Sequence, residues 1–220
     1  MNTTDIRENP SAHIGFSIYL PEGFIELPSG EPDEQKLRTL ASAIAERFGL
    51  PQTQIDNGLA KSTVLLMTLG ASAVAGGSDY VAAGIFRSHA DVERAAMAVM
   101  NCFLLPSNHD SPQTAIDGLQ QHHRNAEHIE TVQLPAGEAV IAQWRESESI
   151  TVDEQNIDIT KHAITAWIPN PSGPGLLGVA VTSNNTEDWT HIADMAKGIF
   201  ETVEWNPIND ETNTATAFAW

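Results

Sequence analysis

Residues 163–205 constrain the fold more than any other stretch of the chain. Ala163-Ile164-Thr165-Ala166-Trp167-Ile168-Pro169 and Gly175-Leu176-Leu177-Gly178-Val179-Ala180-Val181-Thr182 are two β-rich runs around a Gly/Pro turn. Proline presets one turn dihedral and glycine accepts the positive one, so the runs read as a hairpin. Behind them Trp189, Ile192, Ala193, Ala196, Ile199 and Phe200 recur at helical spacing within Glu187 to Glu201, capped by Thr186 or Asn185. A hairpin followed by one amphipathic helix predicts a sheet with a helix laid across it.

The upstream chain extends that pattern. Ile14 to Leu20 alternates as a first strand, and Pro21-Glu22-Gly23-Phe24 is a turn leading to a short edge strand at Ile25 to Leu27. Asp33 to Phe48 reads as a helix through Leu37, Leu40, Ala41, Ile44, Ala45 and Phe48, with acidic residues at its start and Arg47 at its end. Ile55 to Ala75 reads as a second, buried helix ended by Gly76-Gly77-Ser78, and Asp79 to Arg87 as a strand. Arg94 to Leu105 fits either a helix or a strand buried on both faces. The strand is preferred because it would pair with the Tyr80 strand. Pro112 to Arg124 is a helix capped by Ser111, and Ile129 to Leu134 and Glu138 to Arg145 are strands around Pro135-Ala136-Gly137. The polar, acidic stretch Glu146 to Asp158 reads as a solvated loop.

At 220 residues the chain can bury roughly 70% of its unfolded surface in one core without disulfide or metal staples. The expected organisation is a mobile arm over 1–12, one α+β domain over 13–205 and a polar tail over 206–220. Eleven basic against 29 acidic residues give a net charge of −18, which argues against nucleic acid or anionic lipid as a partner. Ser62 to Ser78 is uncharged, but its dense apolar part is short of the ~20 residues of a spanning helix, so no membrane insertion is expected. Met1 to Pro10 has no apolar run and no lipid-anchor cysteine. With the single Cys102 in an apolar run, that predicts a cytoplasmic protein.

Four features line up in order: the first strand running into Pro21-Glu22-Gly23-Phe24, the Leu134-Pro135-Ala136-Gly137 turn, the Trp167 strand with its partner, and the helix ending in Ile199-Phe200-Glu201-Thr202-Val203-Glu204-Trp205. In them the chain resembles the PsbP-like superfamily, especially an actinobacterial branch related to the lipoprotein LpqN. The resemblance covers residues 13 to 205. It implies an α/β/α sandwich, a central antiparallel sheet flanked by helices, and an accessory or binding role without a shared catalytic set. No functional residue is therefore carried over. The chain departs from LpqN in lacking the signal and the anchor cysteine.

No motif carries catalytic, metal or phosphate chemistry. In Gln121-His122-His123-Arg124-Asn125-Ala126-Glu127-His128, a helix would turn His123 and His128 about 140° apart, so the cluster reads as an exposed helix end. Cys102 reads as a small core residue. His109-Asp110 and Lys161-His162 read as loop polarity, and Gly76-Gly77-Ser78 and Gly173-Pro174-Gly175 as turns. Glu146 and Glu148 are carboxylates expected from abundance. Trp144 and Trp167 are expected to fill the sheet–helix core. Phe218 and Trp220 form a terminal aromatic hook, the expected partner contact. The predicted function is a non-enzymatic accessory or protein-binding module with no cofactor, no metal and no catalytic residue, its partner another protein and its oligomeric state open. The alternative is a small-ligand-binding domain with a pocket between the sheet and the Ile55 to Ala75 helix. A metal-dependent enzyme at His122, His123 and His128 is the third reading.

Overall fold

The structure is a computed structural model that describes residues 3–6, 14–28, 33–47, 57–152 and 155–207. In chain order it contains β1 (Thr3–Ile6), β2 (Ile14–Tyr19), β3 (Phe24–Glu26), α1 (Glu34–Arg47), α2 (Asn57–Ala75), β4 (Tyr80–Arg87), β5 (Ala95–Leu105) and α3 (Pro112–His122). There follow β6 (His128–Leu134), β7 (Gly137–Val152), β8 (Gln155–Pro169), β9 (Leu176–Ser183), α4 (Trp189–Phe200) and β10 (Glu204–Pro207). Seven strands form one sheet in the order β3-β4-β5-β9-β8-β7-β6, and β1-β2-β10 form a second, small one. Every pairing is antiparallel.

The alternation of side chains along each strand assigns the two faces of the large sheet. One face carries Ala98, Met100, Cys102, Val179, Val181, Ile164, Ala166 and Ile141, all buried beneath Ile192, Ala196, Ile199 and Phe200 of α4 and beside Phe16 and Ile18 of β2. On the opposite face Val81 and Ala83 pack against Leu40 and Ile44 of α1 and Leu66 and Met67 of α2. At the other end of that same face Ile116 and Leu119 of α3 pack on Val140 and Leu176. The layers are thus helix, sheet, helix, as the sequence led us to expect. Cys102 is fully buried, and burial, with Asp79 adding to it, pushes its thiol far up, so it is a core residue.

Local chemistry sets several boundaries. Asp33 starts α1 by accepting a 2.8 Å hydrogen bond from the Lys36 amide. Ser111 caps α3, accepting from the Thr114 amide at 3.3 Å. Gly23 and Gly137 take positive φ angles of 113° and 130° in the two turns expected to need them. The ambiguous Arg94 to Leu105 segment is strand β5, paired along its length with β4 and β9.

Four expectations are corrected. Glu146 to Asp158 is not a loop: β7 and β8 stay paired out to Val152 and Gln155, as a ribbon whose polar side chains face solvent on both sides. Thr3–Ile6 and Glu204–Pro207, placed in or beside the terminal arms, are the outer strands flanking β2. The Ile55 to Ala75 helix is buried on one side only, with Val64 56% and Leu65 63% exposed. Its segment Gly58–Ala75 is long and apolar enough to cross a membrane by length and composition, yet Leu59, Leu66 and Met67 of its inner side belong to the core. The expected cap of α4 is also displaced. A short 3₁₀ turn, Thr186–Asp188, precedes the helix, and neither Asn185 nor Asp188 caps with its side chain.

The Asp188 carboxylate is committed elsewhere. It accepts from Ser88 Oγ at 2.8 Å and from the His89 and Ala90 amides at 2.7 and 3.3 Å, tying the β4–β5 loop to the entry of α4. Burial alone would raise its pKa. The three hydrogen bonds and nearby His89 outweigh that and hold the carboxyl below its ordinary value. Replacing Asp188→Ala strands three donors, and the expected loss is about 3 kcal/mol in urea unfolding. An unchanged midpoint would mean that this junction contributes nothing.

Candidate functional site

Helices are too few to cover the second face of the sheet. Seven strands at ~4.8 Å spacing span about 29 Å, whereas one helix covers about 10 Å. α1 and α2 lie over β3 and β4, and α3 lies over β7 and β8. The strip between them is floored by β5, β9 and β8. Its outward residues Val99, Asn101, Phe103, Ala180, Thr182 and Trp167 are only partly buried, while their neighbours Met100, Cys102, Val179 and Val181 on the α4 face are fully covered. The result is a trough across the middle of the sheet.

Register brings its aromatic residues together. Phe103 and Trp167 both pair with Gly178, from opposite sides. The Phe103 ring lies over that glycine, where a Cβ would come within 2.0 Å of it, and meets Trp167 edge-on with centroids 5.2 Å apart. His123 ends α3, its amide bonded to Leu119 O at 2.9 Å, and the following turn returns toward β6 through Ala126 N to His123 O at 2.8 Å. That bend lays the imidazole on the sheet, stacked on Trp167 at 5.3 Å and edge-on to Trp144 at 5.9 Å.

Three polar atoms of this cluster are covered and lack a hydrogen-bond partner: Asn101 Oδ1, His123 Nε2 and Trp167 Nε1. Buried polar groups are normally paired, so three orphans around one aromatic cluster call for a cause. Asn101 stands opposite Ala180, one step along β5 and β9 from the Phe103–Gly178 pair. His123 is only 7% exposed, and burial, then the neighbouring His122, holds its pKa below the usual imidazole value. The ring is therefore neutral near pH 7.

The residues singled out from sequence are dispersed. His122 touches only the edge of His123, with centroids 4.7 Å apart. His128 begins β6, with Nε2 3.8 Å from Glu130 Oε1. His123 is buried rather than part of an exposed helix end. Among the described residues no group of three or more side chains could hold a metal. His162 is not loop polarity either: it is buried in β8, stacked on Trp189 at 5.0 Å with Nε2 3.2 Å from Thr186 Oγ1. His109 Nδ1 lies 2.8 Å from Ser107 Oγ in the loop before α3. Glu146 and Glu148 are exposed on the β7–β8 ribbon. Trp144 and Trp167 are half-buried walls of the trough. Phe218 and Trp220 lie outside the described residues. The trough itself was missed, although a polar Asn101 inside the run Ala95 to Leu105 was its visible sign.

Two outcomes follow from this geometry. Gly178→Val drives a side chain into the Phe103 ring and should cost about 1–3 kcal/mol of overpacking strain in urea unfolding; no loss would show that the ring does not need the glycine. The neutral His123 links stability to pH. Its contribution is complete above the ordinary imidazole value of about 6.5 and is lost as pH falls below it toward the lower folded value. His123→Phe should keep the stacking and shrink the fall in urea midpoint between pH 7 and pH 5, with His162, also depressed by burial, supplying the remainder. An undiminished fall would mean that His123 titrates alike in both states.

No protein-family model matches the chain, and no curated protein matches it. Among solved structures it is similar to the crystal structure of LpqN, involved in cell envelope biogenesis of Mycobacterium tuberculosis, at 12% identity and a TM-score of 0.40, over 94% of this chain and 91% of that one. LpqN belongs to the branch named from the turn motifs. A likeness at this level transfers no function.

Proposed function

We propose that this chain is a non-enzymatic binding domain that seats a small ligand in the trough between α2 and α3. One observation carries the reading: three covered, unpartnered polar atoms around one aromatic cluster on the part of the sheet that the helices leave open. The orphaned atoms sit on or beside half-exposed side chains, so a rotamer change in the cluster uncovers them. This is the pocket alternative from the sequence, shifted from beneath the second helix to the strip beside it.

The test is a thermal-shift and tryptophan-fluorescence screen of a small-molecule library against the wild type and Ala180→Phe, which fills the floor. A ligand at one hundred times its Kd raises stability by about 2.7 kcal/mol. A hit that stabilises the wild type and quenches its fluorescence, but leaves a folded Ala180→Phe unchanged, supports the reading. Hits indifferent to the variant count against it.

A second reading, the protein-binding module, is supported by a different observation. The exposed face of α2 carries Val64 and Leu65 on a helix without any acidic residue, in a chain of net charge −18. Pull-downs with the full chain, Leu65→Glu and a truncation after Pro207 separate the helix from the tail as the contact.

A further inference from the structure

Resting on the trough as the binding site, we propose that its ligand is an uncharged flat ring bearing an amide-type edge, a carboxamide or lactam. The floor fixes the shape. β9 contributes only Gly178 and Ala180, the two smallest side chains available, and Phe103 already occupies Gly178. Ala180 is then the low point, bounded by Asn101 and Phe103 on one side and Thr165 and Trp167 on the other. A flat ring lies there against the sheet with its edge toward Asn101 and Trp167.

The orphaned atoms fix the polar pattern. An indole N–H only donates, so Trp167 demands an acceptor on the ligand. The Asn101 carboxamide oxygen only accepts and demands a donor. One ligand edge carrying a carbonyl beside an N–H meets both, and the neutral imidazole of His123 adapts to either role through its tautomer. The floor and wall residues named here are uncharged. An anion would meet no cation among them and would enter the field of a chain of net charge −18. A simple cation would leave the Trp167 N–H unpaired. Its access to the Trp167 ring is also restricted, because His123 stacks on that ring and Phe103 meets it edge-on.

The experiment uses the full chain, ¹⁵N-labelled, and follows its five tryptophan indole N–H resonances by NMR; Trp167→Phe assigns the one that matters. Benzamide is titrated beside benzoate, which has the same ring but a charge, and methyl β-glucoside, a neutral polyol. Benzamide should move the Trp167 indole resonance downfield and saturate, benzoate should not, and Asn101→Leu should weaken benzamide at least tenfold. Asn101→Ser serves if the leucine variant does not fold. Equal binding of benzoate, or full benzamide affinity in a folded Asn101 variant, overturns the amide assignment. A glucoside that shifts the Trp167 resonance where benzamide fails overturns it too, while the trough stands as a site. If no probe moves that resonance and the library screen is also blank, the trough reading falls with it.

Discussion

The pairing of β5 with β9 is the contact on which the rest of the structure depends. It joins two units that are local in sequence, the β4–β5 hairpin and the β8–β9 hairpin with its neighbours, into one sheet. Its register places Met100 and Cys102 beside Val181 and Val179, so that α4 finds a continuous apolar surface. A slip of one residue would turn that surface over and present Asn101 and Phe103 to the core. The same alternation then leaves Asn101, Phe103, Ala180 and Thr182 on the far side, where helices reach only the flanks.

Burial is therefore uneven by design of the layers rather than by composition. On one side α4 and the small sheet close over a dry core of aliphatic residues with a fully covered thiol. On the other, two separate clusters form, one under α1 and α2 and one under α3. The seam between them is where aromatic rings meet and polar atoms go unpaired. Binding sites concentrate in such seams because a rigid scaffold holds both walls while the floor stays accessible.

The parts legible in the sequence were those with strict periodicity. β8, β9 and α4 declared themselves because both sheet faces are buried there and the helix face is continuous. β5 was legible as a strand because Ala96, Ala98, Met100, Cys102 and Leu104 alternate with a more varied set. The β7–β8 ribbon was not, since beyond the helices neither of its faces is buried, and Ser, Glu, Thr and Lys look like loop chemistry whether or not they pair. The entry of α4 misled for a different reason: Asp188 bonds to a loop a hundred residues away, which no local rule can anticipate. The trough was hidden because Asn101, His123 and Trp167 converge only once the strand order is known.

The small sheet has a consequence for how the chain is made. β2, near the amino end, is flanked by β1 on one side and by β10, from the carboxyl end, on the other. Synthesis delivers the two partners of β2 at opposite ends of translation, so the Phe16–Trp205 pairing waits for release from the ribosome. Until then Phe16 and Ile18, which end fully buried, lie against a half-built core. The last step of biogenesis is thus a zipper between the two ends of the polypeptide, and that closure makes the finished domain a cyclic arrangement in space.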